Sequence, residues 1–154
     1  MRYRSWLGRG AICAALVGLA ACSSSVRSPS FTPAADGQGN VMVDLSNQSV
    51  ARRSVVLAVY VDGQLALRKE MASVFKPNAP HDFPEQFPLR LSPGPHTIQV
   101  VAEGQVATAS TEIVVGSGTL YVSAAYHWSP GSRHEPREPE KITLSVQAQP
   151  FGYC

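Results

Sequence analysis

Four histidines, His81, His96, His127 and His134, are the side chains of this 154-residue chain best suited to holding a metal or moving a proton. Imidazole does both because it titrates near neutrality and its neutral ring is a good ligand. Their spacing argues against either role. His81 adjoins Asp82 and His134 adjoins Glu135, while His127 stands on the far side of Pro130-Gly131 from His134. None of these has the second histidine of a His-Glu-x-x-His helix. His96 follows Pro93-Gly94-Pro95 and reads as a turn residue whose ring bonds nearby backbone. No Gly-x-Ser-x-Gly elbow presents a serine nucleophile, and no glycine-rich segment forms a phosphate cradle. Glu135, Glu138 and Glu140 alternate with Arg137 and Lys141 among prolines, the pattern of a solvated, charge-balanced loop. The chain is therefore expected to have no catalytic, cofactor-binding or metal-binding residue; a hydrolase of unknown type is kept as an alternative.

The cysteines carry a more specific signal. Arg2, Arg4 and Arg9 precede an apolar run, residues 11–21, with no acid among them. Eleven residues are too few to span a hydrocarbon core of about 30 Å as a helix, but suit the apolar region of an export signal. The run closes on Leu19-Ala20-Ala21-Cys22, and Ser23-Ser24-Ser25 follows. This segment resembles the lipobox of bacterial lipoproteins at all four positions. The resemblance implies cleavage before Cys22, a diacylglyceryl group on its thiol and an acyl group on the new amine. Several acyl chains anchor stably where one holds only marginally. The same resemblance implies, from Ser23 rather than Asp after the cysteine, the outer membrane, with the body facing the periplasm. No twin-arginine pair is present, so the general secretory route is the simpler reading.

Removal of residues 1–21 changes the charge balance. Three of the 13 Lys and Arg leave with the signal, so ten face 11 Asp and Glu, a net charge of −1. No basic patch is left to suggest nucleic acid. Cys13 departs and Cys22 is consumed by lipid, which leaves Cys154 alone. An odd cysteine in an oxidising envelope points to an intermolecular disulfide, and so to a disulfide-linked dimer. An incidental thiol at the C-terminal end is the competing account. Tyr126, Trp128, Phe151 and Tyr153 fall in the last third and form a candidate interaction surface, because Tyr and Trp at a rim commonly recognise peptides and sugars. Tyr126 and Trp128 share strand parity and would bind a glycan on one face; core packing and strand-end plugging is the competing account.

The elements that would position these residues are strands. Residues 22–40, rich in Ser, Pro, Gly and Ala, read as a flexible tether of mean reach about 24 Å. Strands are expected at 41–46, 54–61, 65–69, 87–91, 96–103, 106–115, 119–127 and 141–149. Asp62-Gly63 is the two-residue hairpin signature, and in Ser92-Pro93-Gly94-Pro95 proline presets one dihedral while glycine takes the positive one. Ala107, Ala109, Ile113 and Val115 should face one way and Thr108, Ser110 and Glu112 the other. Ile142, Leu144, Val146 and Ala148 should oppose Thr143, Ser145, Gln147 and Gln149. Only residues 70–75 suggest a helical turn. Short strands at close spacing, with almost no helical period, predict a single antiparallel β-sandwich of 7–8 strands over residues 41–154.

Val59-Tyr60-Val61-Asp62-Gly63 and the later run from Leu89 through Ser92-Pro93-Gly94-Pro95-His96 to Val100 resemble PEGA-type and related carboxypeptidase-regulatory or prealbumin-like β-sandwich modules. The match covers about a third of the chain, residues 54–104, and departs in the longer 71–86 connection and the added C-terminal strands. Such modules are mostly accessory binding or spacer domains, so the resemblance implies an Ig-like or prealbumin-like sandwich and carries over no catalytic residue. The expected whole is a membrane-anchored, noncatalytic interaction or structural module with an envelope protein partner; the alternative is a glycan- or cell-wall-binding sandwich.

Overall fold

The run Ser-Val-Val-Leu-Ala-Val-Tyr-Val at residues 54–61 has the β-branched density that suits a pleated, well-covered strand. The computed structural model describes residues 30–34, 38–75, 84–134 and 136–152, and forms that strand over the same residues. Among the described residues it is the third of nine: β1 Phe31–Pro33, β2 Val41–Asn47, β3 Ser54–Val61, β4 Gln64–Ala72, β5 Glu85–Leu91, β6 Gly94–Ala102, β7 Thr108–Val115, β8 Leu120–Ser129 and β9 Glu138–Gln147. Two sheets result, ordered β1-β5-β2-β8-β9 and β4-β3-β6-β7. The described chain is an all-β sandwich.

Alternation fills the space between the sheets. Val55, Leu57, Val59 and Val61 of β3 point inward with Ile98, Val100 and Ala102 of β6. Val41, Val43 and Leu45 of β2 meet them from the other sheet, with Val122, Ala124 and Tyr126 of β8. Full burial of one such aliphatic side chain is worth roughly 1.5–3 kcal/mol, so this layer dominates stability. On β7 the expected faces are observed: Ile113 and Val115 are buried while Thr108, Ser110 and Glu112 are exposed. On β9 the inward face fades along the strand, from buried Ile142 through half-buried Leu144 to exposed Val146, and Ala148 lies past its end.

Three expectations are corrected. First, the strands are not all antiparallel: β2 and β8 run parallel, from Val41 opposite Leu120 to Asn47 opposite Tyr126. Parallel neighbours need a long crossover, and here the second sheet supplies it. Second, residues 70–75 make no helical turn. β4 continues to Ala72, with Met71 inward and Glu70 outward, and Ser73 bridges to Asn47. Third, residues 31–33, read as part of a flexible tether, form a strand. Phe31 pairs opposite Leu91 and packs on the core. The Asn40 carboxamide donates to the Leu91 carbonyl and accepts from its N–H, both at 2.8 Å, doing the work of a paired strand. Gly39 allows this approach, because a Cβ there would meet the Leu89 carbonyl oxygen at 2.6 Å.

The register fixes two ends. The turn end carries Ser30, the Asp62-Gly63 turn, the Ser92-Pro93 turn and the Gly116–Gly118 region; the loop end carries residues 47–53, 73–75, 84, 103–107, 130–134 and 136–137.

Candidate functional site

At the turn end the Asp-Gly hairpin is built as expected, with Asp62 at φ 51 and Gly63 at φ 79. Asp tolerates this left-handed region because its short polar side chain bonds locally. Here the carboxylate bonds further afield. Oδ1 accepts the Thr97 N–H at 2.9 Å, and Oδ2 accepts the Ser30 hydroxyl at 2.6 Å and His96 Nδ1 at 2.8 Å. The other ring nitrogen, Nε2, donates to the Ser92 carbonyl at 2.8 Å. Ser30 and Ser92 border the five-stranded sheet, whereas Asp62 and His96 belong to the four-stranded one. One carboxylate thus staples the two sheets and the point where the chain joins the domain.

Burial opposes charge on both partners, but the bonds outweigh it. Asp62 falls from 3.8 to about 2 because Ser30, the Thr97 N–H and His96 favour its ionised form. His96 rises above its usual 6.5, since each ring nitrogen faces an acceptor, the Asp62 carboxylate and the Ser92 carbonyl. An Asp–His pair with serine nearby suggests an activated nucleophile, yet the geometry here is different. Nε2 is committed as a donor, the ring is only 6% exposed, and Ser92 Oγ stands 3.4 Å off. Both ring nitrogens donate, so the imidazolium works as a structural cation.

Beside this staple lies a cleft of about 730 Å³ bordered by Ser30, Asp62, Gln64, Thr97, Gln99 and Ser110. Thr97 and Gln99 project from the outer face of β6, and Ser110 stands opposite Gln99 on β7. The chain matches no family model, no curated protein and no solved structure. Its chemistry must therefore be read from these groups.

At the loop end a second carboxylate plays the matching part. Glu140 on β9 accepts from the Arg52 guanidinium, and its Oε2 accepts the Val106 N–H at 3.2 Å from the β6–β7 hairpin of the other sheet. Burial opposes its charge, but the Val106 N–H and Arg52 hold its pKa below the usual 4.5. Arg52 also lies over the Trp128 ring, 4.6 Å from its centroid, a cation–π contact. Residues 47–53 are held in place from beneath. The Asn47 side chain bonds Ser49 N and the carbonyls of Arg52 and Met71, while Ser49 Oγ donates to the Trp128 carbonyl.

This arrangement corrects the aromatic surface. Tyr126 is fully buried, because its side of β8 is the core side. Its hydroxyl lies beside Arg52 and Glu140 without a well-formed hydrogen bond to either, and burial raises its pKa. The ladder with β9 slips between His127 and Ser129, and Trp128 packs partly buried against the same core that encloses Tyr126. Trp128 is half-buried under Arg52, and Phe151 is half-buried near the described C-terminal limit. Tyr153, Cys154, Cys22, His81, Asp82 and Glu135 lie outside the described residues.

Among the described residues the histidines are not gathered. His127 faces Lys141 across the β8–β9 ladder, and burial together with that lysine pushes its pKa down. His134 is exposed in the following connection. Among the described residues no three His, Cys, Asp or Glu side chains converge as a metal set, and no helix is long and apolar enough to cross a membrane. His96 bonds nearby backbone, as its turn position suggested. Its partnership with Asp62 was the part not read. The signal for it was present: the Asp-Gly and Pro-Gly-x-His motifs both belong to the one resemblance noted above.

Proposed function

We propose that this chain is a bacterial envelope lipoprotein whose sandwich serves as a noncatalytic module for binding a protein partner. In this reading it is cut before Cys22, lipidated on that cysteine and held at the outer membrane facing the periplasm. The lipobox resemblance supports the anchor, and the PEGA-type resemblance supports an accessory binding role. The observation that carries the reading is the polarity of the domain. Ser30 joins the sandwich at the turn end, and the eight residues from Cys22 to it span at most about 29 Å. The turn end is then kept near the bilayer and the loop end is held away from it.

Both ends expose apolar side chains. Val50, Phe75 and Val106 are 54%, 58% and 86% exposed in loop-end connections, whereas Leu65, Val114 and Val146 sit on strands nearer the turn end. The loop-end three lie on connections rather than strand faces, and connections are where binding residues concentrate. Trp128 and Arg52, stacked at the same end, are residue types that anchor interaction surfaces.

Photo-crosslinking in intact cells tests this. A crosslinking residue at position 50, 75 or 106 should capture one specific envelope protein, and one at exposed Ser117 on the turn end should not. No specific adduct from the loop end, with turnover of a substrate by the purified chain, would overturn the reading. The anchor has its own test. Palmitate labelling and membrane retention should both disappear in Cys22→Ala; unchanged retention would sink that part alone. The proposed Cys154 disulfide should give a dimer on a nonreducing gel that Cys154→Ser abolishes, and a wild-type monomer under oxidising conditions would refute it.

A further inference from the structure

The cleft at the turn end lies opposite the surface assigned to a protein partner, so what it binds is a separate question. Its volume of about 730 Å³ falls in the range of small-molecule sites. Its wall has an unusual chemical make-up. Ser30, Thr97 and Ser110 supply hydroxyls, Gln64 and Gln99 supply carboxamides, and no lysine or arginine lines it. The one carboxylate, Asp62, is already matched by the imidazolium of His96.

Each ligand class can be weighed against that wall. An anion finds no cation free to receive it, since the His96 ring is turned onto Asp62 and Ser92. A cation finds a carboxylate whose two oxygens already accept three hydrogen bonds. An apolar ligand would strip water from hydroxyls and amides and leave them unsatisfied. A neutral ligand dense in hydroxyl groups answers these groups in kind, since each hydroxyl both donates and accepts. The floor is rigid: Gln99 is held in the β-ladder between Tyr60 on β3 and Ser110 on β7. Donors and acceptors preset on strands lose little freedom on binding.

We infer that this cleft is a binding site for a neutral oligosaccharide. The site stands apart from Trp128 and from the loop end, so it stands or falls independently of the protein partner. Two sources offer this chemistry, the glycan strand of a cell-wall polymer and the sugar headgroup of a glycolipid.

The test uses the full chain purified in a sugar-free zwitterionic detergent, titrated with the tetrasaccharide of N-acetylglucosamine and followed by amide NMR. Shifts should concentrate at Thr97, Gln99 and Ser110. The anionic tetragalacturonate should produce none. The double variant Gln99→Ala with Ser110→Ala removes only outward-facing groups and should weaken binding at least ten-fold while its spectrum otherwise matches wild type. Should that variant fail to fold, Ser110→Gln, which crowds the floor from β7, should give the same ten-fold loss. No shifts up to 10 mM sugar, shifts centred on Trp128, equal response to the uronate, or undiminished binding by folded variants would each overturn the assignment. Pelleting with insoluble wall polymer or flotation with glycolipid vesicles, lost in the variant, then identifies the source; binding to neither would refute it.

Discussion

The two ends of the sandwich are closed by the same device in different chemistry. At each, one carboxylate crosses the gap between the sheets. Asp62 joins Ser30 and His96 at the turn end, and Glu140 joins Arg52 and the Val106 N–H at the loop end. The turn-end partner is an imidazole that titrates near neutrality; the loop-end partner is a guanidinium that stays charged. The difference teaches that one end can be loosened by mild alkali and the other cannot.

The largest expected effect comes from removing the turn-end carboxylate. Asp62→Ala loses three hydrogen bonds to a charged group and places alanine at positive φ, so it should cost about 2–3 kcal/mol in chemical denaturation. Glu140→Ala, with two partners and an ordinary backbone, should cost less; the reverse order would break the comparison. The next effect is pH dependence. Asp62 is depressed, so its contribution is complete above 3.8 and is lost as pH falls through about 2. His96 is raised, so its contribution is complete below 6.5 and is lost as pH rises through its higher folded value. Glu140 is depressed too, and its staple weakens only in acid, below 4.5. Stability should therefore fall above neutrality with a slope of at most about 1.4 kcal/mol per pH unit, the limit for one proton. That alkaline slope should vanish in His96→Gln and persist in Arg52→Ala; equal slopes in wild type and His96→Gln would show that the imidazolium carries no stability.

Smaller effects sharpen the loop end. Arg52→Ala should cost about 1 kcal/mol through lost cation–π and stem packing. Tyr126→Phe should change stability by less than about 0.5 kcal/mol, or raise it, because the hydroxyl it removes is buried without a good bond. A loss of 2 kcal/mol would instead place that hydroxyl in the Arg52–Glu140 staple.

Strands and turns were legible in the sequence because they depend on neighbours in the chain. Residues 54–61 and both glycine turns announce themselves through β-branching and the need for positive φ. What could not be read is what depends on the third dimension. The parallel pairing of β2 with β8 brings together segments more than 70 residues apart, with no local mark. Besides the short β1 pairing, the docking of residues 30–34 and 38–40 uses one serine, one asparagine and one glycine, all common in tethers, and composition alone hides their contacts. Tyr126 illustrates a third kind of miss. Parity fixes which residues share a side of a strand, but which side is inward depends on the partner sheet. The Asp62–His96 pair spans 34 residues, and each member had a sufficient local explanation as a turn residue.

The three-residue strand β1 has a mechanical consequence. Any tension applied to the chain ahead of Ser30 reaches the domain first through Phe31–Pro33 and the Ser30–Asp62 bond. That strand lies at the sheet edge and runs away from the pull, so its bonds to β5 are sheared together. With only three residue pairs, it yields before the eight-pair ladders of the other sheet. Loss of that pairing frees residues 30–34 from the sheet edge. The turn end would then act as a slip joint, yielding under strain while both core layers from β2 to β9 stay closed.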